Sequence, residues 1–332
     1  MKIWFDLTNT PHILFFRPII ERLKARHEIV ITARKHAQTL DMLDFFHFKY
    51  VVIGKHAGKS LIKKAFNTIS RIFLLRKFIK KEEPDLGICH QSPYLIQTCF
   101  LTGIKSIYIF DNDTATLQNL LAIPFASKVL CPEAIKKKRF FGKKLIKYPG
   151  VKEALYLSSW KFDKNIFKKL GLNKNKKIII LRPEPYTAAY YKKNRDILLK
   201  LVKKLPKEWQ VVLIARSEKQ KKEYKKTNPN LIIPREAIDG PSLVYYSDVV
   251  LGAGGTMNRE AAVLGIPVIS TYREKLLAVD RWLIRKGLMV HSSSPSIDLV
   301  KSVMDAGKKK GLLKEGKKSL NFIVKEIEKN KK

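Results

Sequence analysis

The 332-residue chain carries 66 lysine and arginine residues against 29 aspartate and glutamate residues, a formal net charge of +37. Apolar residues make up 45% of the sequence, which excludes an intrinsically disordered chain. The length exceeds the size at which one hydrophobic core usually stops growing, so we expect two domains. The positive charge attracts phosphates, nucleic acid or acidic lipid, although lysine clusters spread along the whole chain also fit ordinary solvated surfaces.

The cysteine pattern and the first residues indicate a cytoplasmic protein. Cys89, Cys99 and Cys131 lie among apolar residues without C-x-x-C spacing, so neither a disulfide framework nor a zinc site is expected. The chain begins with a strand-like segment rather than the apolar region of a signal peptide. No apolar run approaches the ~20 residues of a membrane span, so any association with the inner face of a membrane is expected to be peripheral. We expect neither a metal nor a cofactor.

Short β-branched runs alternate with stretches of helical periodicity, which is typical of βαβ units around a parallel sheet. The first half predicts helices at 15–26 and 60–81, and a turn at 148–150 precedes a second series. The lysine-rich segment 317–332 keeps apolar residues at helical spacing and predicts a final packed helix. The predicted strands lie near 2–6, 28–32, 50–53, 85–89, 105–110 and 128–131, and then near 177–181, 210–215, 230–233, 248–252 and 267–270.

The predicted fold class is therefore α/β, with two Rossmann-like, doubly wound domains. The first domain covers 1–150 and the second covers 151–332, including the final helix. In open α/β sheets, ligands bind beyond the carboxyl ends of the strands. The residues that directly follow each strand are therefore the candidate functional residues.

The first such segment, Asn9-Thr10-Pro11-His12, follows the first strand and opens the next helix. We select His12 as the general base, because a neutral imidazole, with a pKa of about 6.5, can take a proton from a hydroxyl at neutral pH. The structural alternative is a histidine at a helix start that hydrogen-bonds only to the backbone.

Two further strand ends carry titratable side chains. His90 closes the fourth predicted strand, and Asp113 follows the fifth within Asp111-Asn112-Asp113. Both can reach the same edge of the sheet as His12, so we add them as acid-base candidates. Aspartate is also favoured in turns and at helix N-caps, which is the alternative for Asp113.

The segment 59–81 combines eight basic residues, no acidic residue and apolar residues at helical spacing. Such a basic amphipathic helix can lie on anionic lipid and approach a lipid-linked acceptor. Amphipathic helices more commonly pack their apolar face on their own sheet, and that alternative stays open.

The strongest motif, at 249–267, is a strand, a glycine turn and a helix that ends in Gly265-Ile266-Pro267. Glycines allow the backbone to approach an anion, and the free N–H groups and dipole of a helix start favour a diphosphate. Glu260, about one turn into the helix, can accept hydrogen bonds from ribose hydroxyls. The alternative is an ordinary strand-to-helix turn.

This Gly-Gly-x-x-x-x-Glu-Ala-x-x-Leu-Gly-x-Pro pattern resembles the donor-nucleotide motif of UDP-N-acetylglucosamine 2-epimerases and related glycosyltransferase-B-fold enzymes, including transferases that act on lipid-linked acceptors. More narrowly, the chain resembles the archaeal DUF354 family of that superfamily, through segments at 6–12, 32–34, 182–185, 254–267 and 278–282. The resemblance implies two Rossmann-like domains that face a cleft, with the nucleotide held mainly by the second.

Carried over residue by residue, the resemblance gives the glycine turn a diphosphate role, Glu260 a ribose role and the strand-end arginines a phosphate role. The implied nucleotide-sugar-binding residues are Arg182, Arg216, Gly254, Gly255, Thr256, Asn258 and Glu260. The chain departs from the epimerases just before this motif, where Gly252-Ala253-Gly254 replaces an acidic and serine-containing lead-in. That departure makes epimerisation the less favoured reaction.

Three functional hypotheses follow. The first is sugar transfer from a nucleotide-sugar, UDP-linked, to an unidentified acceptor, with His12 as base and the nucleotide-sugar as substrate. The second is C2 epimerisation of the same donor, with His12, His90 and Asp113 sharing the proton transfers. The third is a non-enzymatic nucleic-acid-binding protein, prompted by the charge and by aromatic residues beside lysines at 186–193, although no recognised nucleic-acid-binding motif is visible.

Overall fold

Two parallel β-sheets organise the chain in the computed structural model, which describes residues 1–36, 39–55, 61–136, 144–184, 197–236 and 238–330, with the backbone alone at 55 and 61–66. Each sheet is the centre of one unit. Unit 1 comprises Met1–Tyr156 and Glu315–Lys332, and unit 2 comprises Leu157–Lys314. The predicted α/β class is confirmed.

The sheet of unit 1 has seven strands: β1 (Lys2–Leu7), β2 (Glu28–Lys35), β3 (Val51–Lys55), β4 (Leu86–His90), β5 (Lys105–Ile109), β6 (Lys128–Pro132) and β7 (Leu145–Tyr148). Their spatial order is β3-β2-β1-β4-β5-β6-β7, and all neighbouring strands are parallel. Helices cover both faces of such a sheet, so its central strands read as continuous apolar runs. Every residue of β4 is buried.

The sheet of unit 2 has five strands: β8 (Ile178–Arg182), β9 (Gln210–Leu213), β10 (Val249–Gly252), β11 (Val268–Ser270) and β12 (Val290–His291). Their order is β12-β11-β10-β8-β9, again with parallel neighbours. The chain therefore passes from β8 to β9 on one side and returns to β10 on the other side of β8. Such a reversal in strand order is where open α/β sheets bind ligands.

Helices connect the strands throughout. In chain order they are α1 (Thr10–Leu23), α2 (Thr39–Phe45), α3 (Leu61–Glu82), α4 (Pro93–Thr102), α5 (Thr116–Ala122), α6 (Lys152–Leu157), α7 (Ile166–Leu170), α8 (Ile197–Val202), α9 (Glu218–Thr227), α10 (Gly240–Tyr245), α11 (Thr256–Leu264), α12 (Ala278–Arg285), α13 (Ile297–Asp305) and α14 (Leu313–Glu328), with a 3₁₀ turn at Ile123–Phe125. None of the helices in this described part of the chain combines the length and hydropathy that crossing a bilayer requires.

The last helix belongs with the first sheet. Ile323, Val324 and Ile327 of α14 are buried in the core cluster that also contains Phe5 of β1 and Phe16 of α1. The sequence assigned this helix to a second domain at 151–332. The structure instead returns the chain to unit 1, because the apolar stripe of α14 completes the core of the first sheet.

Most predicted strands are present with shifts of one to three residues at their ends. Two short strands, β7 and β12, were not predicted, since four and two residues give too little pattern. The expected strand at 230–233 contributes only an isolated bridge between Val212 and Ile232. Pro229 and Pro234 flank that segment, and proline cannot donate to a sheet ladder.

Candidate functional site

A buried carboxylate, Asp6 of β1, joins the strand ends of unit 1. Arg71 of α3 donates to it through both terminal guanidinium nitrogens, at 2.7 and 2.9 Å. The hydroxyls of Thr32 in β2 and of Ser92, just after β4, donate at 2.8 and 2.7 Å. These bonds connect three neighbouring strands and one helix at the carboxyl edge of the sheet.

Asp6 is ionised in this setting. Burial alone raises the pKa of a carboxyl, but the Arg71 guanidinium and the hydrogen bonds outweigh burial and lower the pKa of Asp6 below its ordinary value of 3.8. A carboxyl whose pKa falls on folding stabilises the fold above its ordinary pKa and loses that contribution as the pH drops. We therefore assign Asp6 an organising role rather than a proton-transfer role.

Arg34 places a second guanidinium near this edge. It lies in β2, its Nη2 donates to the carbonyl of Thr8 at 3.4 Å, and its buried Nε has no hydrogen-bond acceptor among the described residues. Burial is the main cause that lowers the pKa of Arg34, yet a guanidinium remains charged at physiological pH. Arg34 was not among the residues predicted from the sequence, although it lies in the segment 32–34 that resembles the family.

The start of α1 brings His12 to the same edge. Asn9 caps the helix, its side chain accepting the N–H of Thr10 at 3.0 Å, and Pro11 occupies the first turn. The backbone N–H of His12 donates to the carbonyl of Asn9 at 3.0 Å. In its ring, Nδ1 lies 3.4 Å from the hydroxyl of Thr8.

The rings of His12 and His90 lie side by side, with centroids 4.8 Å apart. His90 is the last residue of β4 and is 1% exposed, while His12 is 8% exposed. Burial, followed by His90 and Lys152, lowers the pKa of His12 well below 6.5, and the Asp111 carboxylate acts in the opposite direction. His12 is therefore neutral at neutral pH, the state that a proton acceptor requires.

Asp111 connects His90 to a lysine. Its Oδ1 lies 3.4 Å from His90 Nε2, and its Oδ2 lies 2.5 Å from Nζ of Lys152, the first residue of α6. All three side chains are buried. Unit 1 thus contains a continuous row of Lys152, Asp111, His90 and His12, which we call the acid-base row.

Asp113, the carboxylate selected from the sequence, lies two residues further on, in the partly exposed turn before α5. Asn112 shapes this turn, because its side-chain oxygen accepts the N–H of Thr114 at 2.9 Å. The carboxylate that lies against His90 is that of Asp111. Asp111 is the first aspartate after β5, so proximity to the strand end was the signal that distinguished the two.

The backbone after His90 is also unusual. Gln91 has a φ of 49°, in the left-handed region that residues other than glycine rarely adopt. Its N–H donates to the carbonyl of Ile109 in β5 at 2.9 Å, so the sheet itself holds this conformation. Uncommon backbone conformations of this kind concentrate at functional sites.

In unit 2, β10 ends in the predicted glycine turn. A Cβ on Gly252 would collide with the side chain of Asn258. Gly254 and Gly255 have φ angles of 80° and 96°, and Gly255 is the N-cap of α11. The space around Gly255 where a Cβ would lie is open, so a ligand can approach the backbone at this point.

Two hydrogen bonds hold the turn in place. The carbonyl of Gly252 accepts from Asn258 Nδ2 at 2.8 Å and from the N–H of Thr271 at 2.9 Å. The predicted residue Asn258 is buried and therefore shapes the turn from behind. The first N–H groups of α11, beginning at Thr256, have no carbonyl partner within the helix and carry the positive end of its dipole.

Glu260 lies in the second turn of α11 and is 4% exposed. The neighbouring Arg259 forms a buried two-point ion pair with Asp280 of α12, at 2.7 and 3.2 Å. Asp280 lies in the segment 278–282, and the pair fixes α12 against the helix that begins at the glycine turn.

The two predicted arginines differ in position. Arg182 is opposite Gly252 in the register of β8 and β10, and its Nη1 donates to the carbonyls of Ile214 and Ala215 at 2.8 and 3.2 Å. Arg216 is exposed beyond β9, with its Nε donating to the carbonyl of Pro183 at 3.0 Å. The structure therefore brings Arg182 beside the glycine turn and keeps Arg216 at the end of the adjoining strand.

The described residues contain no cluster of three or more histidine, cysteine, aspartate or glutamate side chains that could hold a metal ion. The aromatic residues at 186–191 that prompted the nucleic-acid hypothesis lie outside those ranges.

Sequence comparison places the chain in a family. A model described as "Protein of unknown function (DUF354)" matches residues 1–331. The chain belongs to the DUF354 family. It is also 35% identical to "Uncharacterized protein MJ0665" of Methanocaldococcus jannaschii over 325 residues, which cover 94% of each chain.

Solved structures share the fold. The chain is similar to the UDP-GlcNAc 2-epimerase from Neisseria meningitidis bound to UDP-GlcNAc, with a TM-score of 0.75, 18% identity and coverage of 99% of this chain and 100% of that one. The UDP-GlcNAc 2-epimerase from Methanocaldococcus jannaschii gives a TM-score of 0.75 at 16% identity, with the same coverage. The glycotransferase of kitacinnamycin gives 0.65 at 13% identity, covering 99% and 98%. The DUF354 chain therefore has a glycosyltransferase-B-like fold.

If the acid-base row is correctly assigned, replacing Lys152 changes the pH at which His12 is protonated. Lys152→Met removes a cation that lowers the pKa of His12 and frees the Asp111 carboxylate to attract a protonated ring. We expect the protonation of His12 to move to higher pH, measured by NMR of the imidazole protons and assigned with His12→Gln.

Lys152→Arg, which keeps the charge, should titrate like the wild type. Lys147→Met removes an exposed lysine of β7 and should leave the pH at which His12 is protonated unchanged. If His12 of a folded Lys152→Met protein is protonated at the same pH as in the wild type, the assigned acid-base row is wrong.

Proposed function

We propose that this DUF354 protein transfers a sugar from a UDP-linked donor to an acceptor. The glycine turn at the start of α11, with Glu260 one turn behind it in a glycosyltransferase-B-like fold, carries the proposal. An exposed Gly255 beside helix N–H groups that have no carbonyl partner within α11 suits a diphosphate, since the backbone can approach it closely and the helix dipole favours its charge. Glu260 then accepts hydrogen bonds from the ribose hydroxyls.

Arg182 supports the same assignment. Its backbone carbonyl accepts the N–H of Ala253 at 3.0 Å, so the end of β8 and the glycine turn are fixed to each other. A guanidinium at this position adds positive charge beside the departing diphosphate. Arg216 at the end of β9 is a secondary candidate for the same anion.

In unit 1 the acid-base row supplies the proton acceptor. During transfer, an acceptor hydroxyl oxygen bonds to the anomeric carbon, the bond from that carbon to the diphosphate breaks, and UDP leaves. Neutral His12 takes the hydroxyl proton. His90 packs against the ring and positions it, and the Asp111 carboxylate, which is paired with Lys152, offsets the positive charge that the ring acquires.

C2 epimerisation of the same donor is the second candidate. Two adjacent imidazoles and a buried carboxylate can remove a proton and return one, which epimerisation needs and a simple transfer does not. The named epimerases among the structural neighbours favour this candidate. The lead-in of Gly252-Ala253-Gly254 counts against it, because it lacks the acidic and serine residues of the resembling motif.

The acceptor is the remaining partner. We propose that it is presented at an anionic membrane surface, with the protein associated peripherally on the cytoplasmic side. The segment 59–81 gave this prediction, and its described side chains from 67 onward include exposed Arg76, Lys77 and Lys80. We do not propose nucleic acid as a ligand.

UDP binding tests the nucleotide site. Glu260→Gln should weaken UDP and UDP-sugar binding by roughly 10- to 150-fold, because a lost charge-assisted hydrogen bond costs about 1.5–3 kcal/mol. Isothermal titration calorimetry at moderate salt measures this, with thermal unfolding to confirm the fold. Glu218→Gln, which removes an exposed carboxylate near the start of α9, is the matched control and should bind like the wild type. No UDP binding by the wild type would refute the proposal.

Product analysis separates the two reactions. A transferase releases UDP only when an acceptor is present, whereas an epimerase converts the UDP-sugar to its C2 epimer alone. In either case His12→Gln should lower kcat by about 10²–10⁴-fold with unchanged donor affinity, since it removes only the base. The exposed His47, changed to Asn, is the control. Equal turnover by His12→Gln and the wild type would exclude His12 as the base.

A further inference from the structure

Unit 1 exposes an apolar surface on one helical layer. Ile69 and Phe73 of α3 are 70% and 67% exposed, Phe100 of α4 is 59% exposed, and Leu117 of α5 is 68% exposed. Large side chains with this exposure are ordinary when they are scattered singly, but contiguous ones mark an interaction surface. We call these four side chains the apolar face.

The helices that carry the apolar face adjoin each other. α3 packs on α4, and α4 packs on α5 and on the 3₁₀ turn. The ring of Phe100 contacts that of Phe125 in the 3₁₀ turn, with centroids 5.0 Å apart, and Gln97 of α4 donates to the carbonyl of Leu121 in α5 at 3.1 Å. The exposed side chains therefore lie on one continuous helical layer.

The charge of this layer is predominantly positive, although α3 ends in Glu82 and Glu83 follows it. The sequence has no acidic residue from 61 to 81, none in α4 and none from 116 to 125. On α3 the exposed stripe that contains Ile69 and Phe73 continues into exposed Arg76, Lys77 and Lys80. Arg76 and Lys80 line a groove between α3 and α4. Leu101 and Glu83 also line it, so apolar groups and two cations against one carboxylate meet at this surface.

The combination of exposed apolar side chains and basic side chains indicates what binds to the apolar face. A second copy would bring another chain with a net charge of +37 to a surface whose charged groups are mainly basic, and like charges repel. An anionic bilayer attracts the basic groups and accepts exposed apolar side chains below its headgroups. Acidic lipid thus satisfies both features of the face.

We propose that the apolar face docks on the surface of an anionic lipid bilayer, with Ile69, Phe73, Phe100 and Leu117 inserted and Arg76, Lys77 and Lys80 against the headgroups. This extends the membrane association of the proposed function from the segment 59–81 to three helices. Docking does not require the nucleotide site, so vesicle binding and UDP binding can fail independently.

Co-sedimentation with vesicles tests the proposal. The full-length protein is mixed, without any nucleotide, with vesicles of phosphatidylcholine plus phosphatidylglycerol, or of phosphatidylcholine alone, at about 0.15 M salt. We expect binding to the anionic vesicles only. Phe100→Ser combined with Leu117→Ser should lower the partition coefficient by about tenfold or more, because buried apolar area contributes to interfacial binding.

The controls separate insertion from general charge attraction. Phe45→Ser removes a side chain that is 70% exposed on α2, outside the apolar face, and should bind like the wild type. Ile69→Ser combined with Phe73→Ser tests the face independently on α3, and circular dichroism verifies the fold of each variant. Equal binding by both double variants and Phe45→Ser would overturn the proposal. A wild-type dimer that dissociates in the double variants would also overturn it, by showing that the face joins two copies.

Discussion

The geometry of unit 1 depends on the buried ion pair between Asp6 and Arg71. One carboxylate receives hydrogen bonds from β2, from the residue after β4 and from α3, so it fixes the carboxyl edge on both sides of β1. A buried carboxylate is strongly destabilising unless its partners are all in place. The edge that carries Thr8, Arg34 and His90 is therefore held in a single arrangement, which acid-base chemistry requires.

The two units use different physical means to prepare their sites. Unit 1 gathers titratable side chains, and its surroundings set their protonation: burial and neighbouring cations keep His12 neutral. Unit 2 relies on the backbone, because glycine conformations, a helix start and the bond from Asn258 to Gly252 create the candidate anion site. A reaction that breaks a bond to a diphosphate while moving a proton needs both kinds of site.

The sequence predicted the fold and the local motifs well, because both depend on short-range patterns. Apolar runs marked most of the strands, and the glycine turn was visible as a motif. The sequence did not show which residues that are distant along the chain contact each other in the fold. Lys152 reaches Asp111 across 41 residues, and α14 returns to the first sheet, both through packing that no local pattern encodes. Asp113 was selected although Asp111 lies closer to the end of β5, and the contact with His90 that decides between them exists only in the folded chain.

The central claim, that the start of α11 holds the diphosphate of a nucleotide, is tested most directly by hydrogen–deuterium exchange with and without saturating UDP. Amides that gain a ligand exchange more slowly, and the change can be located along the chain. We predict slower exchange at 252–260, together with the end of β8, and little change in α13 or α14. Unchanged exchange at 252–260 in a UDP-saturated sample, with protection confined to other segments, would contradict the account.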